Sequence, residues 1–103
     1  MLASRTRFFL RATLFVALLV MAGCQSMPVQ EMSDARQAIT AAKDAGAAEY
    51  AADDLDAAES YLESAQKYLK ARNYAIARRD AVEAKTKALD ALRRSEAATE
   101  AEK

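Results

Sequence analysis

The chain has 103 residues, enough for one small domain, and its formal net charge at pH 7 is zero. All 15 acidic residues follow Cys24, whereas three of the 15 basic residues (Arg5, Arg7 and Arg11) precede it, so the part after Cys24 is acidic. This excludes the strongly basic surface typical of nucleic-acid-binding domains. Cys24 is the only cysteine and there is no histidine. An internal disulfide is therefore excluded, and no metal-ligand cluster, cofactor motif or small-molecule site is evident.

The first 23 residues are predicted to be a cleaved export signal. The three arginines precede an apolar segment from Ala12 to Met21. This segment is too short to span a bilayer, which needs about 20 apolar residues. Basic residues before an apolar segment stay cytoplasmic, so the chain that follows is expected to be translocated.

The signal ends in Met21-Ala22-Gly23-Cys24, which resembles the lipobox of bacterial lipoproteins, with Met where Leu is common. In that family the cysteine thiol receives a diacylglyceryl group, a signal peptidase cuts before the cysteine, and the new amino terminus is acylated. The resemblance implies these groups on Cys24 and cleavage between Gly23 and Cys24. More than one acyl chain gives stable membrane anchoring. The alternative is an uncleaved signal anchor in which Cys24 is incidental.

Gln25 bears on the membrane that receives the protein. In the enterobacterial sorting rule, Asp after the lipidated cysteine retains a lipoprotein in the inner membrane. Gln25 resembles the exported class, which implies the periplasmic face of the outer membrane. Residues 24–29, which include the only proline, Pro28, are predicted to be a lipidated tether to a domain over residues 30–98.

The domain is predicted to be an all-α fold, a small three-helix arrangement built on an antiparallel hairpin. Alanine supplies 22 of the 80 residues after position 23, and only one glycine occurs among them. The helices are predicted at about residues 29–45, 53–71 and 74–98, followed by a frayed tail at 99–103. Gly46 is expected to end the first helix in the left-handed conformation, with Tyr50 pinning the connection at 47–52. The second break is expected at Arg72-Asn73, since Asn tolerates the left-handed region.

Spacings of three and four residues predict one core-facing side of each helix. The core positions are Met32, Ala35, Ile39 and Ala42 in the first helix; Leu55, Ala58, Leu62, Ala65 and Leu69 in the second; and Tyr74, Ala77, Ala81, Ala84, Ala88 and Ala91 in the third, with Val82, Leu89 and Leu92 beside them. Large side chains of the second helix thus face alanines of the third, which lets antiparallel helices approach closely. Ion pairs between residues four apart are expected at Glu63–Lys67, Glu83–Lys87 and Asp90–Arg94.

Two further resemblances concern the helices. The positions Tyr61, Ala65, Tyr68, Tyr74, Ala77 and Ala84 resemble the aromatic and small positions of a tetratricopeptide repeat, from which Ser64 and Leu89 depart. One repeat is too few for a solenoid. The runs Ser33–Arg36, Ala45–Ala51, Asp53–Leu55, Ala57–Glu59 and Asn73–Arg78 resemble the uncharacterised envelope family, domain-of-unknown-function family 4398, over most of residues 29–95. That resemblance implies either a lipoprotein or a domain that precedes an OmpA-like domain, without an established activity.

Three sets of residues are candidate sites in the domain. Tyr50, Tyr61, Tyr68 and Tyr74 are candidates for an aromatic recognition surface, with core and turn packing as the favoured interpretation. Arg78, Arg79, Lys85, Lys87, Arg93 and Arg94 are candidates for binding anionic lipid or glycan, but interleaved acids favour a solvated face. Lys103 resembles the terminal lysine through which Braun-type lipoproteins are joined to peptidoglycan.

The sequence therefore predicts a non-enzymatic, lipid-anchored envelope protein whose helical domain is an interaction or accessory module in the periplasm. Its expected partners are the membrane, through the acyl chains on Cys24, and another envelope protein or a second copy of the chain. The alternative is a structural tether from membrane to cell wall through Lys103. An enzymatic interpretation rests only on scattered carboxylates, and no catalytic residue is assigned.

Overall fold

The computed structural model describes residues 5–11, 13 and 26–103. In the domain, the helices are α1 (Val29–Asp44), α2 (Ala47–Tyr50), α3 (Ala52–Lys70) and α4 (Tyr74–Ala101). Residues 5–11 and 13 are also helical and exposed. The described part of the chain contains no strand, which confirms the predicted all-α class. Among the described helices, none combines the length and apolar character that a bilayer crossing requires.

Helix α4 is the centre of the domain, because α1, α2 and α3 all pack against it. Five alanines on its inner face are fully buried: Ala77, Ala81, Ala84, Ala88 and Ala91. Their small side chains let the neighbouring helices approach closely. The burial of these five positions was predicted by their spacing. Val82 instead is 46% exposed, since it lies about 100° around the helix from Ala81.

The core has two parts, one at each end of the domain. Near the turn between α3 and α4, Met32, Ala65 and Ala81 pack together with Leu62 and Leu69 at the margin. The larger part lies at the other end and involves all four helices. Its buried members are Ala38, Ile39, Ala42, Ala47, Ala51, Leu55, Ala58, Ala88 and Ala91, with Leu62, Leu89 and Leu92 against them.

A buried polar contact joins α3 to α4 within this alanine-rich interface. Asp80 is 3% exposed, and the hydroxyl of Ser64 donates to its Oδ2 at 2.6 Å. Arg79 donates to the other carboxylate oxygen at 3.0 Å. Within the described residues, every buried side-chain nitrogen and oxygen has a hydrogen-bond partner. The contact favours one register of the two helices, because a shift along the helix axis separates the Ser64 hydroxyl from the buried Asp80 Oδ2.

The connection between α1 and α3 contains one more helical turn than the sequence predicts. Gly46 has φ +89°, the left-handed conformation expected of it, and its carbonyl accepts from the backbone N–H of Tyr50 at 3.0 Å. A Cβ at Gly46 would lie 3.3 Å from the Tyr50 ring, so glycine also provides space there. The residues after Gly46 are good helix formers and close a short helix, α2, where an irregular connection is predicted.

The turn between α3 and α4 corrects the predicted role of Asn73. Arg72, and not Asn73, is left-handed, with φ 60°. The N–H of Asn73 bonds to the Tyr68 carbonyl at 2.9 Å and that of Arg72 to the Leu69 carbonyl at 3.0 Å, a Schellman motif. Asn73 then caps α4, as its Oδ1 accepts from the Ile76 N–H at 3.4 Å. Asn73 is thus used as a cap, and the left-handed position falls to Arg72.

The end of α4 also differs from the prediction. The helix continues to Ala101 where a frayed tail is predicted from residue 99. The Tyr50 hydroxyl donates to the Glu102 carboxylate, at 3.0 and 2.9 Å from its two oxygens. Tyr50 therefore does pin a segment, but it connects α2 to the end of α4.

Candidate functional site

The predicted attachment site lies outside the described residues. Gly23, Cys24 and Gln25 all precede Ser26, the first described residue of the domain. The surroundings of the site are therefore defined by residues 26–31 and by the side chains that contact them.

Within the segment predicted as a tether, Pro28 and the backbone carbonyl of Ser26 contact the bundle, whereas the side chains of Ser26 and Met27 are exposed. Pro28 is fully buried and precedes α1, and its carbonyl accepts from the Met32 N–H at 3.1 Å. Arg78 of α4 donates through Nη2 to the Ser26 carbonyl at 2.6 Å and through Nε to Glu31 Oε1 at 3.3 Å. A single guanidinium thus holds the incoming chain and the first turn of α1 against α4. The described part of the predicted tether is accordingly fixed to the domain.

Arginine suits this position because its planar fork presents donors in two directions. Ser26 offers only a backbone carbonyl, so the contact is independent of its side chain. No local pattern predicts this interaction, since Ser26 and Arg78 lie 52 residues apart. The opposite charges of Glu31 and Arg78 are compatible with a contact, but these residues are 47 positions apart.

The candidate tyrosines are not gathered into one surface. Tyr50 bonds to Glu102 at one end of the domain, whereas Tyr74 begins α4 at the other end. Tyr61 is 36% exposed, and Tyr68 is half-buried on the same helix. The described residues place no ring-to-ring contact between these tyrosines. The hydrogen bond that the Tyr50 hydroxyl donates to the Glu102 carboxylate is the main cause that raises the pKa of Tyr50 above its ordinary value.

Five of the six candidate basic residues form ion pairs. Each contact joins the cation to a carboxylate of the bundle: Arg78–Glu31 at 3.3 Å, Arg79–Asp80 at 3.0 Å, Lys85–Asp34 at 3.9 Å, Arg94–Asp54 at 2.7 Å, and Arg93–Asp90. Arg94 is bound to α3 and not to Asp90, where it was predicted. Asp54 raises the pKa of Arg94, by its hydrogen bond first and its charge second. Lys87 is the sixth residue of the set and forms no ion pair with the described residues.

The remaining candidate, Lys103, is exposed, and its backbone N–H bonds to the Glu100 carbonyl at 3.3 Å. The described residues contain no group of three or more acidic, histidine or cysteine side chains arranged to hold a metal ion.

Asp80 and Ser64 were not recognised from the sequence as a structural pair. A signal was present, because Asp80 follows Ala77 by three residues and Ala84 follows Asp80 by four. These spacings place the carboxylate on the buried face of α4. Its partner then had to come from the facing helix, where Ser64 is next to the core position Ala65.

Comparison with known proteins supports one assignment. Neither a curated protein nor a solved structure matches the chain. The family described as "Domain of unknown function (DUF4398)" matches residues 30–103, which is the helical domain from the second residue of α1 onward. The match confirms the family resemblance, which was stated for most of residues 29–95, and extends it to residue 103. The chain belongs to the DUF4398 family.

Proposed function

We propose that this protein is a non-enzymatic lipoprotein of the bacterial cell envelope, anchored through acyl groups on Cys24 in the outer membrane. Its helical domain acts in the periplasm as an accessory or interaction module. Membership of the DUF4398 family is compatible with this proposal but assigns no activity.

The observation that carries the proposal is the sequence Met21-Ala22-Gly23-Cys24 after a basic and then an apolar segment. Small residues before the cysteine suit the entry of the backbone into a peptidase, and only a thiol accepts the diacylglyceryl group. Two or more acyl chains are sufficient for stable anchoring, so a membrane-spanning helix in the domain is not required.

The packing of residues 26–28 gives support of a second kind. Pro28 is buried and the Ser26 carbonyl is bound by Arg78, so the folded domain begins immediately after the proposed attachment site. A lipid on Cys24 therefore holds the domain close to the membrane surface, with a preferred end towards it. Such an arrangement suits a module that works at the membrane.

Metabolic labelling with radioactive palmitate tests the proposal. The native chain is expected to incorporate label and to migrate as a processed protein. Cys24→Ala is expected to remain an unlabelled, unprocessed precursor. Ser26→Ala is the matched control, since it changes a neighbouring side chain and keeps the carbonyl that Arg78 binds. Palmitate incorporation into Cys24→Ala at the native level contradicts the proposal.

Covalent attachment to peptidoglycan through Lys103 and a tetratricopeptide-like mode of peptide binding both stay predictions. The exposed position of Lys103 permits the first.

A further inference from the structure

Charge is segregated along the long direction of the helices. The half of the domain that contains the α3–α4 turn, residues 26–36 and 62–87, carries 8 basic and 5 acidic residues and is named here the turn end. The other half, residues 37–61 and 88–103, carries 4 basic and 10 acidic residues and is named the acidic end. The small net charge of the domain therefore hides a strong charge asymmetry between its two ends.

The cations at the turn itself are not neutralised by the protein. Lys67 and Lys70 lie in the last turns of α3, and Arg72 follows in the turn. All three are exposed, and none forms an ion pair with the described residues. By contrast, three acids of the turn end (Glu31, Asp34 and Asp80) are engaged by Arg78, Lys85 and Arg79. The other two acids of the turn end, Glu63 and Glu83, form no ion pair with the described residues, so the predicted pair Glu63–Lys67 is not formed. Since the three exposed cations outnumber these two acids, the unpaired charge near the turn is positive.

The same end receives the chain from the proposed lipid. Arg78, which binds the Ser26 carbonyl, lines a surface cleft together with Ala71, Arg72, Asn73, Tyr74 and Ala75. Cys24 precedes Ser26 by two residues, and two residues span at most about 7 Å. An acyl group on Cys24 is thus attached beside the turn and remote from the acidic end.

We propose that Lys67, Lys70 and Arg72 bind the anionic phospholipid headgroups of the membrane that holds Cys24. The domain then stands on its turn end, and its acidic end projects into the periplasm. This inference rests on the proposed lipidation of Cys24. Basic residues beside a lipid anchor are attracted to the negative surface potential of anionic lipids, each by a factor of roughly five in binding. The same field repels the acidic end, so attraction and repulsion favour one orientation.

The test uses the processed, lipidated protein in vesicles. Its Cys24 thiol is blocked by lipid, so Ala71→Cys and Ala101→Cys each supply the only free thiol for a fluorescent donor. Both positions are exposed; Ala71 lies in the turn that precedes α4, and Ala101 is the last residue of that helix, which is about 42 Å long. Energy transfer to a headgroup-labelled lipid reports the distance of each end from the membrane. Vesicles of phosphatidylcholine are compared with vesicles that contain about 30 mol % phosphatidylglycerol.

Anionic vesicles are expected to raise the ratio of transfer from position 71 to transfer from position 101 about twofold over neutral vesicles. Salt at about 0.5 M is expected to abolish the difference, because it screens charges beyond a few ångströms. The triple variant Lys67→Glu/Lys70→Glu/Arg72→Glu is expected to lose the difference between anionic and neutral vesicles already at low salt. The matched control, Lys43→Glu/Arg93→Glu/Lys103→Glu, changes the net charge by the same amount at three exposed cations of the acidic end and is expected to retain the difference. Circular dichroism establishes that both variants are folded.

Each outcome decides the inference. The inference is contradicted if the ratio of transfer from position 71 to position 101 is the same in neutral and anionic vesicles. It is also contradicted if the two triple variants lose the difference between the vesicles equally. Neither result bears on the lipidation of Cys24. Binding to isolated peptidoglycan is measured for the same proteins, with cell-wall glycan as the alternative ligand. If the Lys67→Glu/Lys70→Glu/Arg72→Glu variant loses binding to peptidoglycan but keeps the native orientation on vesicles, the ligand is glycan and the lipid assignment is wrong. Mass spectrometry of the same preparation checks the acyl groups, and their absence overturns the proposed function together with this inference.

Discussion

The guanidinium of Arg78 donates to the backbone carbonyl oxygen of Ser26 at 2.6 Å, across 52 residues of sequence. The same side chain reaches Glu31 in the first turn of α1. This contact determines where the folded domain begins relative to Cys24. It therefore sets which end of the helices lies next to the lipid predicted on Cys24.

Arg78→Ala is expected to loosen the start of the domain without unfolding it. Both members of the Arg78–Glu31 pair are about one-third exposed, so the free energy of unfolding should fall by only about 1 kcal/mol or less. Amide hydrogen exchange should increase in the first turns of α1. Arg36→Ala is the control, since Arg36 is an exposed arginine without an ion pair in the described domain. Unchanged exchange in α1 of Arg78→Ala counts against the role of this contact.

The alanine face of α4 should not tolerate larger side chains. Ala84 and Ala88 are both 0% exposed. Substitution of either by Leu forces the neighbouring helices apart and should lower the free energy of unfolding by about 1–3 kcal/mol. Ala97→Leu is the matched control on the exposed side of the same helix and should be nearly neutral. Urea unfolding followed by circular dichroism measures the difference, and equal midpoints for Ala84→Leu and Ala97→Leu contradict the packing.

The contact between Ser64 and Asp80 should contribute more to stability than the surface ion pairs do. Ser64→Ala removes the 2.6 Å donor to a carboxylate that is 3% exposed, which should cost about 1–3 kcal/mol of unfolding free energy. Ser60→Ala, an exposed serine one turn earlier in α3, should change stability little. Thermal unfolding of the two variants is the measurement. A larger loss for Ser60→Ala than for Ser64→Ala is incompatible with a buried register contact.

The hydrogen bond between Tyr50 and Glu102 should be visible in the titration of the tyrosine. It raises the pKa of Tyr50, so its contribution to stability is present below the ordinary tyrosine pKa and is lost as pH rises through the folded-state value. Glu102→Gln should lower the pKa of Tyr50 towards its ordinary value, whereas Glu100→Gln should change it less. Nuclear magnetic resonance of ¹³C-labelled tyrosine rings separates Tyr50 from the other three. An unchanged Tyr50 titration in Glu102→Gln disproves the contact.

Gln25 should direct the protein to the outer membrane. Gln25→Asp is expected to move it to the inner membrane, because Asp after the lipidated cysteine is the retention signal of the enterobacterial sorting rule. Gln25→Asn is the control, because it retains an uncharged amide. Density-gradient separation of the two membranes measures the distribution. Identical distributions for the Asp and Asn variants exclude a sorting role for this position.

The sequence was most informative where local spacing determines burial. Met32, Ala35, Ile39 and Ala42 are all buried as predicted, because one apolar stripe at helical spacing has only one direction to face. Leu62 and Leu69 were predicted in the core and lie at its margin. Their neighbours on α4 are alanines, whose small side chains leave the leucines partly uncovered.

Contacts that depend on tertiary structure were not predictable from local patterns. Tyr50 and Glu102 meet over 52 residues because α2 and the end of α4 lie at one end of the domain. Asn73 was assigned the left-handed position by propensity, but the need of α4 for a cap determined its role instead. Arg94 bonds to Asp54 across the helix interface, where local spacing favoured Asp90.

The central claim is that the mature protein begins at a lipidated Cys24. Mass spectrometry of the amino-terminal peptide, from protein purified out of membranes, tests it most directly. The expected result is a chain that starts at Cys24, with a diacylglyceryl group on sulfur and an acyl group on nitrogen. A chain that retains residues 1–23, or one that carries an unmodified Cys24 thiol, contradicts it.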